Sequence, residues 1–235
     1  MLEKLHTGEL YPPDDPEIAA LQQSCLEKLW EYNMTRPHET ERRRALLEEM
    51  FAEIGEGCYI EPPFHANFGG RHCHFGRRVC ANFNLTCVDD THIYVGDCTM
   101  FGPNVTVATA AHPIDAAQRE QGLQYNRTVR IGRNCWIGAG AIILPGVTIG
   151  DNSVIGAGSV VTRDVPSGVV AVGNPCRVLR KAEDAAAHPT VSPEGFCGRF
   201  DRCSTSLIEE PEYCEVCAFF SAADRTCRWP KRAQA

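Results

Sequence analysis

Between Ile131 and Val161 an aliphatic residue returns at every sixth position: Ile131, Ile137, Ile143, Ile149, Ile155 and Val161. The next position is usually glycine (Gly132, Gly138, Gly150, Gly156), and the position four after the aliphatic one is small or β-branched (Cys135, Ala141, Val147, Ser153, Ser159, Val165). Neither the 3.6 period of a helix nor the 2.0 period of a half-buried strand gives a spacing of six. A chain that turns a corner every six residues does, with one aliphatic side chain per segment facing into a prism. This is the pattern of a parallel β-helix of hexapeptides. The fold class it predicts is mainly β: a left-handed parallel β-helix with an N-terminal helical cap and a small Cys-rich C-terminal tail.

The cap is read from residues 1–57. Ile18, Leu21, Cys25, Leu29 and Tyr32 have helical spacing after the start signal Asp14-Asp15, which predicts a helix over 16–33. Leu46, Leu47, Met50, Phe51 and Ile54 predict a second helix over 40–54, ended by Gly55 and Gly57. Residues 58–181 form the repeat domain. Its beat is irregular from Cys58, clear at Val95, Phe101 and Val107, and interrupted over 108–128. A stretch of this length without a beat bulges from a corner as an extruded loop, and such loops are usually functional. Pro166, Gly168, Gly173 and Pro175 mark the exit, 181–188 reads as a short helix or linker, and 182–235 is linker and Cys-rich tail.

The formal charge of −7 gives little electrostatic support to a nucleic-acid or membrane role, and no basic-then-apolar leader opens the chain. No apolar run approaches the roughly 20 residues that span a bilayer. A cytoplasmic protein is expected. Thirteen cysteines without an export signal read as free thiols or a metal site rather than a disulfide framework. In the tail Cys197, Cys203, Cys214, Cys217 and Cys227 include one C-x2-C, and any four could close a structural zinc site; an iron–sulfur cluster or plain thiols are the alternatives.

His112, in Ala111-His112-Pro113 on the interrupted stretch, is the candidate base, because an imidazole titrates near neutral pH. The ordered set Cys80-Ala-Asn82-Phe-Asn84, Val88-Asp89-Asp90, Gly102-Pro103-Asn104, Ala111-His112-Pro113, Asn134-Cys-Trp136-Ile-Gly138, Pro145-Gly146, Gly156-Ala157 and Gly173-Asn-Pro175 resembles the maltose and galactoside O-acetyltransferases of the hexapeptide-repeat acyltransferase family. The cap stretch Gly8-Glu-Leu-Tyr11 resembles theirs too, and the likeness covers about residues 4 to 181.

The resemblance implies transfer of an acetyl group from acetyl-CoA to a hydroxyl of a maltose-, glucose- or galactoside-like sugar, in a homotrimer with sites between subunits. It implies His112 as general base; Asn82, Asp90, Asn67 and, nearest to an acidic acceptor position, Asp14 on the acceptor side; and Ala139, through its backbone N–H, Ala157, Thr162, Arg163, Arg177 and Arg180 on the coenzyme side. Asp90 could also orient the imidazole. Amide-ladder and turn-capping roles are the alternatives for Asn82 and Asp90, and Asn84 reads as structural. Cys80 stands where relatives tend to have an aromatic residue. Two other readings remain open at this point: a non-catalytic repeat scaffold, and a metal-dependent hydratase of the carbonic-anhydrase kind using His72 and His74, alternating on one strand, with His112.

Overall fold

The structure, a computed structural model, describes residues 1–183 and two short strands, Phe220–Ser221 and Thr226–Cys227. Residues 1–183 lie in one compact unit, a three-sided parallel β-helix of about six coils with the N-terminal helices. Each side is a parallel sheet named here for one inward residue. The Val95 face stacks Glu53–Ile54, Cys73–Phe75, Ile93–Val95, Val129–Ile131 and Thr148–Ile149. The Phe101 face stacks Tyr59–Ile60, Cys80–Ala81, Met100–Phe101, Trp136–Ile137, Val154–Ile155 and Val169–Val172, and is closed by the antiparallel strand Arg177–Lys181. The Val107 face stacks His65–Ala66, Thr86–Val88, Thr106–Ala108, Ile142–Ile143 and Val160–Val161.

The six-residue beat maps directly onto this prism. All six aliphatic beat residues from Ile131 to Val161 are buried, and so are Cys135, Ala141, Val147, Ser153, Ser159 and Val165 four positions on. In each two-residue strand one side chain points in and its neighbour out, as in Trp136–Ile137 and Ile142–Ile143. Full burial of each aliphatic side chain contributes about 1.5–3 kcal/mol. Buried hydroxyls inside the prism are satisfied: Ser153 Oγ donates to the Pro166 carbonyl at 2.8 Å. Some corners need left-handed backbone, and asparagine takes it at Asn84, Asn104, Asn134 and Asn152. Their amides also stack between coils, Asn84 on Asn104 at 3.0 Å and Asn134 on Asn152 at 2.9 Å.

The cap plugs one end of the prism. Helix α1 (Pro16–Asn33) starts where Asp15 accepts the Glu17 N–H at 3.0 Å, with Pro16 in the first turn. At its other end the Tyr32 hydroxyl donates to the Ile60 carbonyl, and Asn33 exchanges two 2.8 Å bonds with the Phe64 backbone. Helix α2 (Thr40–Met50) is shorter than its apolar spacing predicts. Phe51 is already extended, at φ −83° and ψ 148°, and packs its ring on Phe64 and Phe75. Ile54 therefore lies on the first strand of the Val95 face rather than on the helix. Lys181 likewise ends a strand, not a helix.

The interrupted stretch contains a hairpin. Ala110–Ala111 pairs antiparallel with Tyr125–Asn126, and between them lies a short helix α3 (Ala116–Glu120) capped by Asp115. Among the described residues no helix is long and apolar enough to cross a membrane. In the second unit, Phe220–Ser221 pairs antiparallel with Thr226–Cys227.

Candidate active site

Two edges of the prism carry the chemistry predicted from the sequence. The first lies where the Val107 face turns into the Val95 face and bears Asn67, Asp90, His112, Thr162 and Arg163. The second lies where the Phe101 face turns into the Val107 face and bears Asn82, Ala139 and Ala157. A single chain does not bring these two groups together, because the whole Val107 face separates them.

On the first edge, His112 follows directly on Ala110–Ala111 and is exposed. Its Nδ1 lies 2.9 Å from the Leu123 carbonyl across the hairpin. A carbonyl can only accept, so Nδ1 carries the proton in this contact, and in the neutral ring the Nε2 lone pair is then free. The hydrogen-bond partner of the imidazole is thus the Leu123 carbonyl, and Asp90 makes no hydrogen bond to it. The Asp90 carboxylate is buried, with Oδ2 accepting from Asn67 Nδ2 at 2.8 Å and Oδ1 from Gln124 Nε2 at 2.8 Å. Each oxygen retains lone-pair capacity for a further donor. Thr162 and Arg163 are exposed further along this edge. Asp14 is exposed in the turn between Tyr11 and α1.

On the second edge, Asn82 is exposed and its Oδ1 accepts only the Phe83 N–H, at 2.8 Å. It takes no part in the Asn84–Asn104 ladder. The N–H groups of Ala139 and Ala157 make no hydrogen bond to any of the described residues, although both residues are exposed corner positions of adjacent coils. Glycine makes that corner possible. A Cβ on Gly138 would stand 2.5 Å from the Ala157 nitrogen, and one on Gly102 would stand 2.7 Å from the Ala139 nitrogen. Outward from this edge the Phe101 face shows an exposed column of Tyr59, Cys80, Met100 and Trp136 in register. Arg177 and Arg180 are exposed on its last strand.

Gln124 and Asn126 lie outside the motifs quoted above, and Tyr11, which ends the cap stretch Gly8-Glu-Leu-Tyr11, is not among the candidate site residues. Tyr11 is buried and bridges the Gln124 backbone in both directions, at 2.9 and 3.0 Å. Its hydroxyl accepts from Gln124 Nε2 at 2.7 Å and Asn126 Nδ2 at 2.9 Å. Burial pushes the Tyr11 phenol up to about 12, so it stays neutral. The alternating buried polar pair Gln124 and Asn126, just before Val129, was the signal available in the sequence.

His72 and His74 belong to a different cluster. The His6 ring stacks on His92 at 4.5 Å and meets His72 edge-on at 4.9 Å, and His74 Nε2 lies 2.9 Å from His92 Nδ1. Burial lowers the pKa of His6 and His92 and brings His72 down to about 4. His112 is engaged with Leu123 instead. Among the described residues no group of three or more His, Cys, Asp or Glu side chains is arranged to hold a metal ion. Cys197, Cys203, Cys214 and Cys217 lie outside the described residues, and of Cys227 only the strand pairing is described, so the zinc expectation for the tail lies outside them too.

Comparison with known proteins fits both halves of this architecture. Residues 4–55 match the maltose acetyltransferase hexapeptide capping motif, and residues 128–163 match the bacterial transferase hexapeptide (six repeats). A galactoside O-acetyltransferase of Lactococcus lactis is 55% identical over 183 residues, which is 78% of this chain and 88% of that protein. The chain belongs to the hexapeptide-repeat O-acetyltransferase family. It is an acetyltransferase. A galactoside acetyltransferase solved in complex with coenzyme A superposes with a TM-score of 0.76 at 43% identity, covering 80% of this chain and 94% of that one. A maltose O-acetyltransferase from Clostridium difficile superposes with a TM-score of 0.75 at 42% identity, covering 77% and 96%.

Proposed function

We propose that this acetyltransferase moves the acetyl group of acetyl-CoA to a hydroxyl of a maltose-, glucose- or galactoside-like sugar, with His112 Nε2 as general base. The observation that carries the reading is the Nδ1–H···O=C bond from His112 to Leu123, which leaves an exposed imidazole nitrogen free to accept a proton. The relatives named for galactoside and maltose acetylation, one of them bound to coenzyme A, support the donor and the acceptor class.

The chemistry follows from the groups at hand. Nε2 removes the sugar hydroxyl proton as its oxygen bonds to the thioester carbonyl carbon, and charge develops on the carbonyl oxygen. The unpaired Ala139 N–H is the donor for that oxyanion. Collapse of the tetrahedral species breaks the carbon–sulfur bond, and the imidazolium returns the proton to the departing thiolate. The products are an O-acetyl sugar and free coenzyme A. Asn82, Asp90, Asn67 and Asp14 hold the acceptor, while Ala157, Thr162, Arg163, Arg177 and Arg180 hold the coenzyme, the arginines at its phosphates.

The two edges meet when the His112 edge of one copy faces the Ala139 edge of the next, which three copies around an axis achieve. What supports this trimer is the separation of the two residue sets by a full prism face. The test is thiol release from acetyl-CoA across a panel of maltose, glucose, galactosides and amino-sugar oligosaccharides, with the ester located by mass spectrometry. Ester formation on one of these sugars is expected; hydrolysis alone, with no acceptor acetylated, overturns the reading. Co-assembly of His112→Ala with Asn82→Ala subunits tests the shared site: regained turnover is expected, and none would contradict it.

A further inference from the structure

The reactive loop is tied to the N-terminal segment through buried polar groups, of which Tyr11, Gln124 and Asn126 have no part in the proposed transfer chemistry. Leu123, whose carbonyl orients His112, directly precedes Gln124. Gln124 has no freedom of its own: both its backbone groups pair with Tyr11, and its side-chain amide lies within hydrogen-bond distance of the Tyr11 hydroxyl, Asp90 Oδ1 and Asn126 Oδ1. Asn126, two residues on, reaches the Tyr11 hydroxyl and the Leu5 carbonyl at 3.0 Å. Tyr11, Asp90, Gln124 and Asn126 are buried, and buried side-chain polar atoms without a partner are absent among the described residues. A network that is both buried and fully satisfied has a single low-energy arrangement. The free arm of the hairpin, by contrast, exposes Ile114 almost completely, at 94%.

We infer that Tyr11 and Gln124 are positioning residues for transfer. They clamp the return strand of the hairpin so that the Leu123 carbonyl holds His112 in the Nδ1–H tautomer. The cap segment is then part of the catalytic apparatus at a distance, and not only a plug for the prism. The inference rests on the reading of His112 as the base.

The clamp has a geometric logic. Without it, the hairpin keeps the two-residue ladder Ala110–Asn126 and Ala111–Tyr125 and the Arg127 N–H to Thr109 carbonyl bond at 2.8 Å, and a two-stranded hairpin is marginal in water. An imidazole on a loose hairpin samples both tautomers and several ring orientations, and misplacement by about 1 Å is enough to cost on the order of 100-fold in rate.

Tyr11→Phe removes one hydroxyl and keeps the ring. Gln124 retains Asp90 and Asn126 as partners, and Asn126 retains the Leu5 carbonyl, so the fold survives. The expected loss in kcat is about 5-fold to 10-fold, with the KM for acetyl-CoA unchanged. Gln124→Ala is expected to lose about 100-fold in kcat, and Tyr11→Phe/Gln124→Ala no more than Gln124→Ala alone. Nitrogen-15 NMR of histidine-labelled protein reads the tautomer directly. The parent should show His112 as a single Nδ1–H form, and Gln124→Ala a mixture. Parent-like kcat in both variants overturns the inference, as does a reduced kcat with the tautomer unchanged. Failure of the underlying reading looks different: His112→Ala would then retain turnover, whatever Tyr11 and Gln124 do.

Discussion

Gly138 ties the sequence beat to the proposed chemistry, because it is a repeat glycine and directly precedes Ala139. A Cβ there would stand 2.5 Å from Ala157 N, 2.7 Å from the Ile155 carbonyl oxygen and 2.8 Å from the Gly156 carbonyl carbon. All three are backbone atoms, so no side chain can swing away. In Gly138→Ala the coils must part by up to about 0.9 Å to reach ordinary contact at about 3.4 Å. The Gly138 N–H to Ile155 carbonyl bond, 2.7 Å in the parent, then stretches to the limit of hydrogen bonding, and the Gly158 N–H to Ala139 carbonyl bond at 2.8 Å is strained with it. Two weakened bonds and the overpacking together cost about 3 kcal/mol. The Ala139 N–H shifts by the same displacement, which costs on the order of 100-fold in kcat. Equilibrium urea unfolding and coenzyme A release measure the two effects. Gly140→Ala is the control: nothing lies within 4 Å of its added Cβ, and only its φ of +67° is strained. That strain is worth about 1–2 kcal/mol, with activity within a few-fold of the parent. A stable and fully active Gly138→Ala, or a Gly140→Ala that is equally damaged, would refute the reasoning.

His72 gives a pH dependence of known sign. Its pKa falls to about 4 through burial, against about 6.5 in the unfolded chain, so from pH 6.5 down to 4 the unfolded chain takes up a proton that the folded one does not. Its contribution to stability is present above 6.5 and declines by about 1.4 kcal/mol per pH unit across that window, about 3 kcal/mol in all. His72→Asn removes this dependence, so urea unfolding of variant and parent should shift in the variant's favour on acidification; a constant difference contradicts it. Arg177→Ala and Arg180→Ala should each raise the KM for acetyl-CoA about 10-fold with kcat retained, an effect that shrinks as salt is raised. Unchanged KM for both would remove them from the coenzyme groove.

The prism was legible in the sequence because its cause is local. One side chain in six must point inward and the corners must be small, so Ile131 to Val161 state the fold within 31 residues. Ile54 misled because apolar spacing alone cannot tell the last turn of a helix from the first strand beyond it; the Phe51 backbone, extended so that its ring packs into the prism, decides. His112 was legible as a residue type on an interrupted beat. Its orienting partner was not, because the Leu123 carbonyl has no side-chain signature. Tyr11 was hidden for another reason: it meets Gln124 across 113 residues of chain, and nothing local in Gly8-Glu-Leu-Tyr11 foretells that contact. The placement of the candidate residues on two edges follows from counting corners, but only once the register of the three sheets is known.

The most direct test of the account is His112→Ala assayed beside acetyl-CoA binding. Loss of the base should reduce acetyl transfer to the best sugar acceptor by about 100-fold to 10,000-fold, while calorimetry returns the parent Kd for the coenzyme, because none of the residues proposed to hold the coenzyme is altered. Turnover near the parent's would contradict the assignment of His112 as the base.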